Sequence, residues 1–291
     1  MNYSKFEEIL NEGLFVDAKL KLLTSIANSP ERYSGLFRST KPRAKMRQNL
    51  SQSQEIKFGD AFEEIIKSYL SEYGYKNLER NIIDEQGNVF NLDQHFMTSQ
   101  DYFFIEQKVR DDHDSTKKQG QISNFKKKLE LLLEKYQKKN LSGIFYFVDP
   151  SFHKNQNFYR DQINKLKSTI HKDLYLFYGK ELFDYLGHSD TWAEILVFLK
   201  TWRNELPDFP DTNFDLNPPE TLAEIKNLDP SLYMKIFSNR DLFMDTIENI
   251  FPTRESLYLL LKFFKENAIT NQKYSELENL LSMRLAELTK K

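Results

Sequence analysis

Apolar and polar positions along the chain repeat with two different periods, and these periods predict its elements. Residues 3–28 and 58–73 repeat apolar side chains at intervals of three and four, which indicates amphipathic helices. Gly74 predicts the end of the second helix, because glycine readily adopts the left-handed conformation that follows a helix. Between these segments, residues 39–55 are polar and predict either a solvated connector or an extended basic arm.

Short strand-like segments follow the second helix. Residues 77–83, 89–96 and 102–109 predict strands, and the polar segments 84–88 and 98–101 predict the turns between them. Because turns this short join antiparallel neighbours, the three strands are expected to form a meander.

Helices and strands alternate beyond this meander, and the last hundred residues predict helices alone. The apolar run 143–148 suits a central buried strand. We therefore expect an α/β core at residues 55–189, an N-terminal helix with a basic arm at 1–54, and a helical region at 190–291. The remaining predicted elements are helices 122–136, 158–170, 179–186 and 192–202, strand 174–178, and helical segments near 220–227, 230–250, 254–267 and 271–289.

Composition narrows the classes of protein. The 24 Phe and 15 Tyr residues supply a sizeable core, whereas the net charge of -2 does not by itself indicate a nucleic-acid binder. The absence of cysteine excludes disulfides, thiolate zinc sites and cysteine nucleophiles. No apolar run approaches the ~18 residues of a membrane span, and Glu7, Glu8 and Glu12 argue against a signal peptide. We expect a soluble, cytoplasmic protein without a membrane partner.

Charged side chains near two predicted strands form the candidate chemical centre. Alternation puts Glu106 and Lys108 on one face of their strand, and a hairpin partner can bring Asp93 towards Glu106. Converging carboxylates repel each other unless a cation lies between them, and Mg²⁺ prefers such oxygen ligands, to which the Gln107 carbonyl would add one. Lys108 could then help to deprotonate the attacking water or stabilise the transition state. The alternative is a solvated strand edge with an exposed ion pair.

These residues resemble a known catalytic motif. The stretches FNLDQHF at residues 90–96 and FFIEQKVRDDHDSTKKQGQ from Phe103 are similar to the motif of PD-(D/E)XK nucleases, and more narrowly to type II restriction endonucleases. The resemblance covers about residues 55–186 and implies a restriction-endonuclease-like mixed central sheet flanked by helices, with Mg²⁺ as the cofactor. Leu92 stands where the motif has proline. The positions that match the catalytic residues are Asp93, Glu106 and Lys108.

The same resemblance implies an acidic residue on the helix before the strands, since in many such nucleases an acid there faces the metal. Glu63 is preferred to Glu64 because Phe62, Ile66 and Tyr69 mark the apolar face of this helix. The alternative is that both glutamates are solvated.

Polar side chains fill residues 110–121, directly after the proposed catalytic strand. Arg, Lys and Gln side chains contact base edges and phosphates, so this segment predicts a DNA-contacting loop, although an ordinary surface loop is the alternative. A basic arm can likewise follow a phosphate backbone. The DNA-contact candidates are Arg110, His113, Lys117, Lys118 and Gln121 in the loop, and Arg43, Lys45 and Arg47 in the arm.

Two neighbouring features have other interpretations. Asp111 can orient Lys108 through an ion pair. Lys126, Lys127 and Lys128 make the next helix basic, but acidic residues interrupt the basic run, so a solvated amphipathic face is favoured.

The sequence therefore predicts a type II restriction endonuclease that makes double-strand breaks in a specific sequence of double-stranded DNA. Two strands require two active sites, so a homodimer is the simplest arrangement for a palindromic target. Without a Gly-rich phosphate loop, a nucleotide cofactor is not expected. The alternatives are a repair or recombination nuclease of the same fold, which would recognise DNA structure, and a non-catalytic DNA-binding protein.

Overall fold

A computed structural model describes residues 1–137, 140–170, 172–206, 212–269 and 271–289. The chain forms two compact units. The first consists of Met1–Gly13 and Phe58–Glu205, and the second of Leu14–Lys57 and Leu206–Lys291. The predicted division at residues 54 and 189 stays a prediction. Among the described residues, no helix is long and apolar enough to cross a membrane.

A mixed sheet of five strands forms the centre of the first unit. Its order is β1-β4-β5-β6-β7, in which β1, β4 and β5 are antiparallel neighbours and β5, β6 and β7 are parallel; β2 and β3 pair separately. This mixed sheet with flanking helices confirms the predicted α/β class and is consistent with a restriction-endonuclease-like fold. The strands are β1 (Lys76–Asn77), β2 (Asn81–Ile83), β3 (Val89–Asn91), β4 (Gln94–Met97), β5 (Asp101–Lys108), β6 (Asn140–Phe147) and β7 (Asp173–Tyr178).

Two of the predicted strands are not continuous, so the prediction was wrong for them. Segments 77–83 and 89–96 each divide between the two sheets, because the chain passes from one sheet to the other around residue 80 and again at residues 92–93. The backbone N–H of Leu92 donates to the carbonyl of Arg80 at 2.7 Å, between the two sheets. This break matters for the site, since it places Asp93 immediately before β4.

Helices precede, separate and follow the strands along the chain, and they make up nearly all of the second unit. Gly74, with φ of +81°, ends α4 as predicted. The helices are α1 (Tyr3–Phe15), α2 (Ala18–Asn28), α3 (Glu31–Ser34), α4 (Pro42–Glu72), α5 (Ser115–Tyr136), α6 (Gln156–Ile170), α7 (Lys180–Tyr185), α8 (Asp190–Glu205), α9 (Pro218–Ile225), α10 (Pro230–Ser238), α11 (Arg240–Leu242), α12 (Glu248–Ile250), α13 (Glu255–Asn267) and α14 (Gln272–Leu288).

Helix α5 packs closely on the central strand β6. Phe125 and Leu129, which recur at helical spacing, are fully buried against the sheet. Gly143 on β6 permits this packing, because a Cβ atom there would lie 2.8 Å from the Leu174 side chain on β7, 3.3 Å from the Phe125 ring and 3.4 Å from Leu129. The close packing fixes which face of α5 meets the end of β5, where the candidate site lies.

Helical predictions at the N-terminal side need two corrections. Residues 3–28 do not form one helix, because Asp17 adopts a left-handed conformation with φ of 58° between α1 and α2. Residues 39–55 are not an extended arm, since Pro42 begins α4. Met46 and Leu50, four residues apart, are buried in the core of the second unit and stabilise this part of the helix.

The second unit is helical throughout its described part, as predicted for the C-terminal region. The predicted helix 230–250 is interrupted at Asn239, which caps α11, and it continues through a π-helical turn at Phe243–Ile247. Residues 207–211, which precede the helical segment predicted near 220–227, lie outside the described residues.

Candidate active site

Asp93, Glu106 and Lys108 meet at the end of the β4–β5 hairpin. Gln94 lies opposite Ile105 in this hairpin, which brings the preceding Asp93 beside Glu106. The Lys108 ammonium contacts Glu106 Oε1 at 2.8 Å and Asp93 Oδ2 at 3.1 Å. Asp93 Oδ2 also accepts a hydrogen bond from the backbone N–H of Gln107 at 2.7 Å. The three side chains predicted from the sequence are therefore in one cluster.

Lys128 is a fourth member of the cluster, and the prediction of a solvated face was wrong for it. Its ammonium donates to Glu106 Oε2 at 2.6 Å and lies 3.8 Å from Asp93 Oδ1, and its side chain is 6% exposed. Lys126 remains half exposed, as predicted. A signal for this difference was present, because Lys128 is three residues after Phe125 and therefore adjoins the apolar stripe of α5.

The acidic pair on α4 divides between two environments. Burial, and then the negative charge of Asp93, raise the pKa of Glu63 to about 7, although Arg80 opposes the shift. Arg80 forms ion pairs with both glutamates, but Glu64 is half exposed and also contacts Lys67 at 2.8 Å. Glu63 is thus the glutamate that the charge of Asp93 reaches. The sequence does not predict the position of Arg80, since no local pattern distinguishes it from the other cations of the chain.

The oxygens around the Lys108 ammonium are candidate ligands for a divalent cation. Besides the two carboxylates, this ammonium donates to the backbone carbonyl of Gln107 at 2.7 Å. Burial alone would lower the pKa of Lys108, but the charges of Glu106 and Asp93 outweigh it and raise the pKa above its ordinary value. Three hard oxygens thus surround one cationic group, which is a donor set that fits Mg²⁺.

Side chains alone would not complete such a site. Among the described residues, no three acidic or histidine side chains lie close enough together to hold a metal ion. A Mg²⁺ ion at this position would use the Gln107 carbonyl beside the two carboxylates, with water in the remaining positions, as Mg²⁺ commonly retains several water ligands.

The polar segment after β5 is only partly a loop, because Asp114 caps α5 and Ser115 begins it. Asp111 does not pair with Lys108, contrary to one interpretation; its Oδ2 accepts from the backbone N–H of Asn155 at 2.9 Å and from the Tyr178 hydroxyl at 3.0 Å. These contacts fix the segment against α6 and β7.

The DNA-contact candidates of this segment differ in their accessibility. Lys117 is exposed, whereas Lys118 donates to Asn155 Oδ1 at 3.1 Å and Gln121 accepts from the Tyr159 hydroxyl at 2.6 Å. His113 Nδ1 lies 3.4 Å from Asp112 Oδ1, and Arg110 Cζ lies 6.0 Å from the centroid of the Phe152 ring.

The three basic candidates near residue 45 lie on α4 in the second unit. Arg43 and Arg47 are four residues apart and share a face of the helix, while Lys45 lies on the opposite side. Arg43 donates to Thr212 Oγ1 at 3.4 Å and Lys45 to Gln48 Oε1 at 2.8 Å. They therefore do not form the single continuous row that an extended arm would present.

Residues 75–203 match the model of a family described as type II restriction endonuclease, HinfI. The match covers less than half of the chain but contains Asp93, Glu106, Lys108 and Lys128. It confirms the resemblance to type II restriction endonucleases and is consistent with the PD-(D/E)XK type. No curated protein sequence matches the chain.

Proposed function

From the match of residues 75–203 to the HinfI type II restriction endonuclease family, we propose that the protein is a Mg²⁺-dependent endonuclease that cuts double-stranded DNA at a short specific sequence. One observation supports the proposal: oxygens of Asp93, Glu106 and the Gln107 backbone surround the position that the Lys108 ammonium occupies. We refer to it as the cation position. Oxygen ligands that converge in this way are expected of a magnesium site and are not needed for DNA binding alone.

Each acidic residue has a proposed role toward the metal. Asp93, Glu106 and the Gln107 carbonyl would hold the ion, with Glu63 as a nearby third acid. When bound, Mg²⁺ would place positive charge beside the scissile phosphate and promote ionisation of the attacking water. Lys128 would hold Glu106 through Oε2, which leaves Oε1 directed at the cation position.

Lys108 is proposed to act as a cation toward the phosphate. As water adds to phosphorus and the P–O ester bond breaks, negative charge grows on the phosphate oxygens, and an adjacent ammonium stabilises that charge. The raised pKa of Lys108 favours this role over proton abstraction from water, because the group stays protonated at neutral pH in the metal-free site.

Recognition is proposed to involve the segment that follows β5. Lys117 is the first candidate to test, since its exposed side chain is available to phosphate or base edges. Arg110, His113, Lys118 and Gln121 would have to exchange present contacts for contacts with DNA. Arg43, Lys45 and Arg47 remain candidates for phosphate contacts from α4.

Incubation of plasmid and branched DNA with the protein and Mg²⁺ tests the proposed function. A restriction endonuclease yields discrete bands from the plasmid. Cutting confined to branched DNA would instead indicate a repair or recombination nuclease, and binding without cutting would contradict the enzymatic proposal. Asp93→Ala and Glu106→Ala should each abolish the bands while the circular dichroism spectrum stays unchanged.

A further inference from the structure

A cavity of about 290 Å³ lies within the second unit, between α2, α3 and the first half of α4. Its volume is near the lower end of the ~300–1,000 Å³ that is typical of small-ligand pockets. Apolar side chains such as Leu22 and Leu50 line part of it, and the exposed side chains of Lys21 and Gln52 show that it opens to solvent.

The charged groups that line this cavity all have the same sign. Lys21, Arg32 and Lys57 line it, together with the polar side chains of Asn49 and Gln52, and among the described residues no Asp or Glu does so. The Lys57 ammonium donates to the Leu14 carbonyl at 3.1 Å, which is a neutral partner.

The cations are also close enough to repel each other. Burial, and then the positive charge of Lys21, lower the pKa of Lys57, although Asp17 and Glu224 act weakly in the opposite direction. Like charges held close together destabilise a fold unless an anion joins them, and neither Asp17 nor Glu224 lines the cavity. A bound anion would relieve this repulsion and accept hydrogen bonds from both ammonium groups.

We propose that this cavity binds a phosphate group, with Lys21, Lys57 and Arg32 as the cationic contacts. Three cationic side chains that line one cavity suit a phosphate better than a single carboxylate, and the apolar lining suits an organic group attached to it. The phosphate can come from a small ligand such as a nucleotide or from a DNA backbone. The site is independent of the proposed cleavage reaction.

Calorimetric titration with inorganic pyrophosphate and with a deoxynucleoside monophosphate tests the site directly, using the full chain. The double variant Lys21→Gln/Lys57→Gln should bind these ligands about tenfold or more weakly than wild type, because each substitution removes a charge-assisted hydrogen bond. Lys226→Gln is the matched control, since Lys226 is an exposed lysine of the same unit that does not line the cavity. If the double variant does not fold, Lys21→Gln alone serves, because that side chain is exposed.

The salt dependence of duplex binding distinguishes a DNA phosphate from that of a small ligand. It is measured in EDTA so that no cleavage occurs. Loss of two phosphate contacts should lower the slope of log affinity against log salt by about 1.8 in the double variant. Weaker small-ligand binding with an unchanged slope identifies a small phosphate ligand, and a lowered slope identifies DNA. If neither measurement distinguishes the double variant from the Lys226→Gln control, the proposal is wrong, whether or not the protein cuts DNA.

Discussion

Two lysines neutralise one buried carboxylate at the candidate site. Glu106 is 1% exposed and contacts Lys108 through one oxygen and Lys128 through the other. A buried carboxylate without such partners would be strongly destabilised. Lys108 is the more exposed of the two lysines, so we assign it to the phosphate and Lys128 to the support of Glu106.

Substitution of Lys128 tests this division of roles. Lys128→Met should lower the free energy of unfolding by roughly 2–3 kcal/mol, because it leaves a buried carboxylate oxygen without its partner while Lys108 still contacts the other oxygen. It should also slow cleavage at saturating Mg²⁺. Lys126→Met, on the exposed side of the same helix, should change neither quantity in urea unfolding and cleavage assays. Equal effects of the two substitutions would contradict the assignment.

The raised pKa of Glu63 predicts a pH dependence of stability in the metal-free protein. The folded state holds this proton up to a pKa of about 7, whereas the unfolded state releases it near 4.5. Stability is therefore lost as pH rises between these values, by up to about 3 kcal/mol. Glu63→Gln should remove this loss, so that the variant exceeds wild type in urea unfolding at pH 8 but not at pH 4.

The half-exposed neighbour provides the control for this prediction. Glu64→Gln removes the same charge from a half-exposed glutamate outside the buried group of acids, so it should not reproduce the effect of Glu63→Gln. A wild-type profile that does not fall between pH 4.5 and 7, relative to Glu63→Gln, would contradict the placement of Glu63 beside Asp93.

Helix α5 connects the polar segment after β5 to the candidate active site. Its N-terminus follows the segment after β5, and Lys128 reaches Glu106 from its fourth turn. Asp114 Oδ1 accepts a hydrogen bond from the backbone N–H of Lys117 at 2.8 Å and so caps this helix. The start of α5 therefore determines where Lys117 is presented.

Removal of this cap should weaken the element in a measurable way. Asp114→Ala is expected to lower the free energy of unfolding by about 1 kcal/mol, because a backbone donor at the start of α5 loses its partner. Asp114→Asn should retain most of this stability, since asparagine caps helices equally well without a charge. Chemical denaturation distinguishes the two variants, and equal losses would indicate that charge rather than capping matters.

The elements also show what the sequence could predict. The apolar runs of β5 and β6 and the stripe of α5 can be recognised in the sequence, because each buries one continuous set of side chains. The interruption of the strand at Asp93 could not be predicted, because it arises where the chain passes from one sheet to the other. Neither could the choice of Lys128 from three consecutive lysines, which depends on the close packing of α5 over Gly143.

A double-strand break requires two active sites, one for each strand. We expect a homodimer, because a palindromic target presents the same phosphodiester to each of two identical sites. Sedimentation equilibrium of the metal-free protein should give twice the 34.7 kDa chain mass. A monomer that remains monomeric on DNA while producing double-strand breaks would contradict this arrangement.

The single-turnover rate at which Lys108→Ala cuts a plasmid, measured beside the wild-type protein with Mg²⁺, tests the proposed active site most directly. We expect a rate at least ~100-fold lower than that of the wild-type protein, because the variant removes the cation proposed to stabilise transition-state charge. Lys126→Ala, which removes an exposed lysine, should retain the wild-type rate. Cleavage by Lys108→Ala at the wild-type rate would contradict the assignment of Asp93, Glu106 and Lys108 as the active site.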